Sequence, residues 1–301
     1  MGCQCGKTVE INKIVNNGYP TCKMTIPLTN DVDALTYIGD DKLILGGDEE
    51  MQLLDGQSKL ITQISKEHNG RINCLIKLSD GRIASGGQDN TIKIWNINKK
   101  ETLFTLNGHK SIIWDIRELE GNKLISGSDD NTCKVWDLNE KKELYTLFSS
   151  HRQISSIAIL KNNKVIIASG RQVILFNLET KNQEGCLDIK KGAWVLRELS
   201  NGDVAAGLGN GALYIIGVTD ELLIKTIFVE GHTKTINSII ELENNKIVTS
   251  SDENDLILWD LKDRESMYLI KGHTDLVTCL CYISGKRFAS ASRDKTIKIW
   301  E

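Results

Sequence analysis

Four times along this chain a histidine is followed by a hydroxyl side chain, an acid and a tryptophan in the same order. The sets are His68, Ser85, Asp89 and Trp95; His109, Ser126, Asp130 and Trp136; His232, Thr249, Glu253 and Trp259; and His273, Ser290, Asp294 and Trp300. Serine, histidine and an acid are the groups of a hydrolase triad, in which imidazole takes the hydroxyl proton and the carboxylate orients the imidazole. Two features point away from catalysis. The set recurs where one site would suffice, and each copy ends on an indole, which is a hydrogen-bond donor only. The expectation is a structural network, stabilising when every member is satisfied.

The sets ride on a repeat with a period of about forty residues. Gly108-His109, Gly231-His232 and Gly272-His273 mark it in full, while His68 and His151 keep only the histidine. Trp95, Trp136, Trp259 and Trp300 mark its other end, where Phe176 and Ile216 stand in two weaker copies. A unit this short cannot bury its own apolar face and must stack on its neighbours. Within the copy that begins at Gly108, apolar runs are cut by turns at Glu120-Gly121-Asn122 and Asp129-Asp130-Asn131, which predicts four short strands joined as hairpins. The first turn recurs as Asp40-Asp41, Asp80-Gly81, Asn162-Asn163, Asn201-Gly202, Asn244-Asn245 and Ser284-Gly285, residue types that tolerate positive φ. No long helical pattern interrupts the strands.

Composition narrows the function. The net charge of −3 supplies no overall basic field for nucleic acid or an anionic membrane. No apolar run is long enough to span a bilayer, and no secretory signal is visible. Of eight cysteines, Cys74, Cys133, Cys186, Cys279 and Cys281 lie among apolar strand residues and are expected to be buried thiols, which suits a reducing, cytoplasmic setting. No spacing suggests a metal site, so neither metal nor cofactor is expected. The run from Gly207 to Gly211 lacks the following helix of a nucleotide loop.

The strings SGSDDNTCKVWD at 126–137 and SASRDKTIKIWE at 290–301, with the Gly-His pairs, resemble the WD-repeat (WD40) family of β-propellers. The resemblance spans about nine-tenths of the chain. It implies an all-β, seven-bladed propeller of four-stranded antiparallel blades over residues 21–301, after a flexible tail at 1–20. The copies start near Asp31, His68, Gly108, His151, Lys191, Gly231 and Gly272; the first, fourth and fifth are degenerate. The last copy stops after its third strand, at Trp300-Glu301. Aligning the first copy on the third makes residues 21–25 an outer strand that completes the last blade and closes the ring. In the family the His, Ser, Asp and Trp groups bond to one another and tie the strands of a blade; Glu253 stands where the family has Asp.

The resemblance also implies a mouth on one face of the ring. Its lining positions are Asn73, Trp114, Asn237 and Thr278, with Asp33, Ser155 and Trp194 as their equivalents in the degenerate copies. Arg71, Gln88, Asp129, Asp252 and Arg293 are the polar neighbours. The two tryptophans either pack into the core between blades or grip a peptide of a partner protein.

The leading expectation is a non-catalytic scaffold or adaptor that binds other proteins, within a multiprotein complex, through this face. Residues 247–262 resemble the WD-box of substrate receptors for cullin-type ubiquitin ligases, although Lys262 stands where Arg is commoner. The Arg-Arg pair of phosphoinositide-binding propellers is absent from the sequence. The opening MGCQCGKT offers Gly2 for myristoylation and Cys3 and Cys5 for palmitoylation, with Gly6 where Ser or Thr is usual. Two lipids give a stable anchor, so a membrane-anchored signalling propeller is the third reading. Lys99, Lys100, Lys141, Lys142, Lys181 and Lys262 would then lie towards an anionic leaflet.

Overall fold

The computed structural model describes residues 20–301, apart from 162, 190, 219–221, 229–230 and 263–264 and the side chains of 222–228 and 265–267. The strands form seven four-stranded antiparallel sheets, each built from consecutive strands in chain order except the last. Blades 1 to 6 are residues 32–65, 72–106, 113–149, 154–188, 193–228 and 236–270; blade 7 combines 277–300 with the strand Cys22–Pro27.

Each sheet is too small to hold a core, and the buried side chains accordingly fall into seven clusters, one at every seam between neighbouring blades. Trp95, Trp136, Trp259 and Trp300 fill four of these seams with their rings fully buried. Phe176, Ile216 and Leu54 occupy the other three. The second strand of each blade is covered on both faces, so it carries small residues where the next blade presses in. A Cβ on Gly86 would sit 2.7 Å from Ile116 Cδ1 and 2.8 Å from Ile113 Cγ2 of blade 3.

The hairpin turns follow the residue types. Asp40, Asp41, Asn122, Asn163, Asn244 and Asn245 take φ between 51° and 62°, and Gly81, Gly202 and Gly285 are also positive. Asn162 lies outside the described residues. The ring closes as expected: Met24 pairs with Ile299 and Ile26 with Ile297, and Thr21 N–H donates to Glu301 O at 2.9 Å. Two sheet edges are thereby removed.

One expectation fails. Cys74, Cys133, Cys279 and Cys281 are buried, but Cys186 is exposed. It sits on Asn182–Asp188, the outermost strand of blade 4, whose side chains face solvent along most of its length.

Candidate functional site

The four polar sets are closed networks. In blade 3, His109 Nδ1 lies 2.9 Å from Asp130 Oδ2 and Nε2 lies 2.7 Å from Ser126 Oγ, which accepts from Trp136 Nε1 at 2.8 Å. Blades 2 and 7 repeat this through His68, Ser85, Asp89 and Trp95 and through His273, Ser290, Asp294 and Trp300, every bond between 2.7 and 2.8 Å. Blade 6 substitutes Thr249 and Glu253 at 2.9 and 3.0 Å from His232, and Trp259 Nε1 donates to Thr249 Oγ1 at 2.8 Å. Burial holds the His109, His232 and His273 rings below their ordinary pKa, against the pull of their acids. Burial raises the Asp130 carboxyl, but hydrogen bonds from Thr132, the Lys110 N–H and His109 outweigh it and bring it down to about 2. Each serine oxygen is fully buried between an imidazole and an indole, so no acyl group reaches it. This geometry is that of a strut, not a nucleophile.

The mouth is built by a recurring defect. In blade 3, Ile113 pairs with Ser128 and Asp115 with Gly127, so Trp114 is the extra residue of a β-bulge. The same shift occurs at Asp33, Asn73, Ser155, Trp194, Asn237 and Thr278. A bulge re-aims its side chain. All seven turn into one central cavity of about 440 Å³, which Arg71, Gln88, Asp252 and Arg293 also line and Asp129 does not.

Most of these polar groups are engaged by the next blade. Asn73 Nδ2 donates to Ile113 O at 3.2 Å, Ser155 Oγ to Ala193 O at 2.8 Å, Asn237 Nδ2 to Val277 O at 3.3 Å and Thr278 Oγ1 to Val32 O at 2.6 Å. Asp33 joins an ionic cluster instead. Arg293 bonds Asp31 at 2.5 Å and Asp33 at 2.9 Å, while Arg71 bonds Asp48 at 3.1 Å and reaches Asp31 and Asp33 at 3.5 Å. Burial raises the Asp33 carboxyl despite the two guanidinium groups.

The two tryptophans make no such tie. Trp114 is half-buried, and its Nε1 is enclosed with no hydrogen-bond partner among the described residues. Trp194 is 42% exposed. Neither is packed away in a seam core.

Deeper in the channel are ties that repeat alignment does not flag. Asp115 Oδ2 accepts from Ser156 Oγ at 2.9 Å, Ile157 N at 2.7 Å and Arg117 at 3.2 Å. The signal available in the sequence was weak: these residues follow the bulge, but only blade 3 carries an acid there.

Comparison with known proteins agrees with this architecture. A family model of the WDR41 β-propeller matches residues 41–268, and one of the WD domain, G-beta repeat, matches 264–301. The chain belongs to the WDR41 β-propeller family. Among curated proteins it is similar to a p21-activated protein kinase-interacting protein 1-like of Danio rerio, 27% identical over 84% of this chain and 58% of that protein. It is also similar to cell division control protein 4 of Saccharomyces cerevisiae, 35% identical over 24% of this chain and 9% of that protein. MST50-interacting protein 11 of Pyricularia oryzae is 34% identical over 28% of this chain and 29% of its own length. The chain thus spans less than two thirds of each of these relatives.

Gly2, Cys3 and Cys5 lie outside the described residues. The lysine-bearing turns join the third and fourth strands of their blades, on the face where Cys22 begins its strand. Lys141 lies over the Phe104 ring and Lys181 over the Tyr145 ring, at 5.1 and 4.0 Å, so each covers an aromatic of the preceding blade. Lys99 pairs with Glu101 and Lys142 with Glu140 at the surface. Most of this set therefore has partners within the ring.

Proposed function

We propose that this protein is a non-catalytic adaptor that holds a peptide segment of a partner protein at the mouth of its ring, with Trp114 and Trp194 as the anchors. The observation that carries the reading is the contrast among the bulge residues. The polar ones are tied to the next blade or to the ionic cluster, whereas Trp194 stands exposed and the Trp114 indole N–H has no acceptor. Tryptophan is the residue most enriched at binding hot spots, where truncation costs about 2 kcal/mol or more. Two relatives are named for the proteins they interact with, which supports an adaptor role by likeness.

The test is affinity purification from the native cell of wild type and the Trp114→Ala, Trp194→Ala double variant, each first shown to melt normally. Proteins recovered with wild type and lost with the variant are the expected result. A cullin adaptor among them would assign the WD-box-like segment at 247–262 its ligase role. An unchanged set of partners would end the reading.

A further inference from the structure

The channel changes character below the mouth. Three residues past each bulge, about 10 Å further along the innermost strand, every blade has an equivalent position in the same register. Blades 1, 2, 6 and 7 place Thr36, Ile76, Ile240 and Cys281 there, none of them cationic. Blades 3 and 5 place Arg117 and Arg197, and blade 4, between them, places Ala158. Across that short side chain the two arginines converge on a pocket of about 240 Å³, which Ile157, Ile159, Leu196 and Glu198 also line. Arg117 lines the mouth cavity as well, so the pocket adjoins the floor of the mouth.

The two guanidinium groups are held differently. Arg117 Nε donates to Ile157 O at 2.8 Å and its Nη2 to Asp115 Oδ2 at 3.2 Å, which fixes the plane of the group and leaves it further N–H donors. Arg197 has no hydrogen bond and no ion pair among the described residues. Channel water reaches it, yet burial by the surrounding protein, and next the Arg117 charge, hold its guanidinium below its ordinary pKa. The acids around it are already engaged. Asp115 accepts from Ser156, Ile157 N and Arg117, and Glu241 accepts from Ser200 N at 2.8 Å and Ser200 Oγ at 2.7 Å. Glu198 shares the pocket, but burial raises its carboxyl, and Lys161 acts on it ahead of Arg197. Two cations thus face one partly desolvated pocket and one of them lacks a counter-ion, an arrangement that a bound anion relieves.

We propose that Arg117 and Arg197 hold a phosphate group in the channel, carried by the free ion or by a small phosphomonoester. Guanidinium forks match phosphate oxygens, and a dianion answers both charges where a carboxylate answers one. The pocket lies within the ring and is small, which suits a small molecule and not a protein surface. This site is separate from the tryptophan anchors and stands or falls independently of the adaptor reading.

Titration calorimetry on the purified full chain tests it, with inorganic phosphate and glycerol phosphate as probes in chloride buffer of matched ionic strength. Wild type, Arg197→Gln and, as a control at an exposed position, Lys191→Gln are compared. Saturable binding to wild type and to the Lys191 variant is expected, weakened about tenfold in Arg197→Gln. The tighter probe shows whether the site takes the free ion or a phosphoryl end. The wild-type melting midpoint should rise with ligand and level off, whereas Arg197→Gln, relieved of an unpaired charge, should melt at least as high without ligand and gain nothing from it. Absence of saturable binding to wild type, or equal affinity in Arg197→Gln, would overturn the site. Equal weakening in Lys191→Gln would reduce the effect to general surface charge and overturn it too.

Discussion

Two sides of one mouth solve the same packing problem differently. On the side of blades 7, 1 and 2, Arg71 and Arg293 are consumed by Asp31, Asp33 and Asp48, and Thr278 and Asn73 bond to neighbouring backbone. On the side of blades 3 to 5, tryptophans replace the tying side chains at two bulges, glycines replace two rim side chains, and among the described residues the Trp114 N–H has no acceptor. The strut networks do not follow the same division: blade 3 has a complete one and blade 1 has none. Blade 7 has a complete one, whereas His151 of blade 4 is exposed and Phe176 takes the place of the indole. A ring of near-identical units can thus hold itself together on one side and keep groups free on the other, because each seam contributes its stability separately.

The sharpest way to break this contrast is to remove the corresponding histidines. His273→Ala leaves Ser290 and Asp294 without their buried partner and should cost about 2–4 kcal/mol, measured by denaturant unfolding. His151→Ala should stay within about 0.5 kcal/mol of wild type; equal losses would mean that blade 4 hides a strut of its own. The same histidines set a pH response. Burial places the His109, His232 and His273 pKa values below the ordinary 6.5, so the unfolded chain binds more protons than the folded one as pH falls through that value. Stability should be complete above pH 6.5 and decline below it, with a further loss below pH 4 as Asp130, held near 2, is protonated. A melting temperature flat from pH 7 to 5 would contradict the burial argument.

Next in size is the ionic cluster. Asp33→Ala removes one carboxylate from Arg293 and Arg71, which keep Asp31 and Asp48 in a partly solvated site, and should cost about 1–2 kcal/mol, below the range for a fully buried pair. Peptide binding on the opposite side should be unchanged, and a parallel loss of both would show that the two sides act as one. The smallest effect is the most specific. Trp114→Phe removes an indole N–H that the free protein buries unsatisfied, so stability should hold or rise by about 1 kcal/mol. A clear fall in stability would mean that the N–H already has a partner.

Much of the architecture was legible in the spacing. His109, Ser126, Asp130 and Trp136 are placed by a hairpin whose turn chemistry is local, and the geometry followed the order of the residues. The positive φ at Asp40, Asn122 and Asn244 came from residue type in the same way. The bulge positions were reachable by aligning copies, but their roles were not. Nothing in Asn73 or Ser155 shows that a carbonyl of the next repeat will take its hydrogen bond. Cys186 was misplaced because an outer strand and an inner one read alike in a short apolar window.

The sequence by itself determined the blade, its struts, the number of blades and the way the ring closes, since these depend on short-range spacing and on hairpins that each repeat specifies alone. Which polar groups stay free at the mouth was decided only by the tertiary structure. Asp33 meets Arg71 and Arg293, and Gly170 meets Gly192, only when separate blades converge on one axis, and whether a donor finds an acceptor there depends on every neighbour at once.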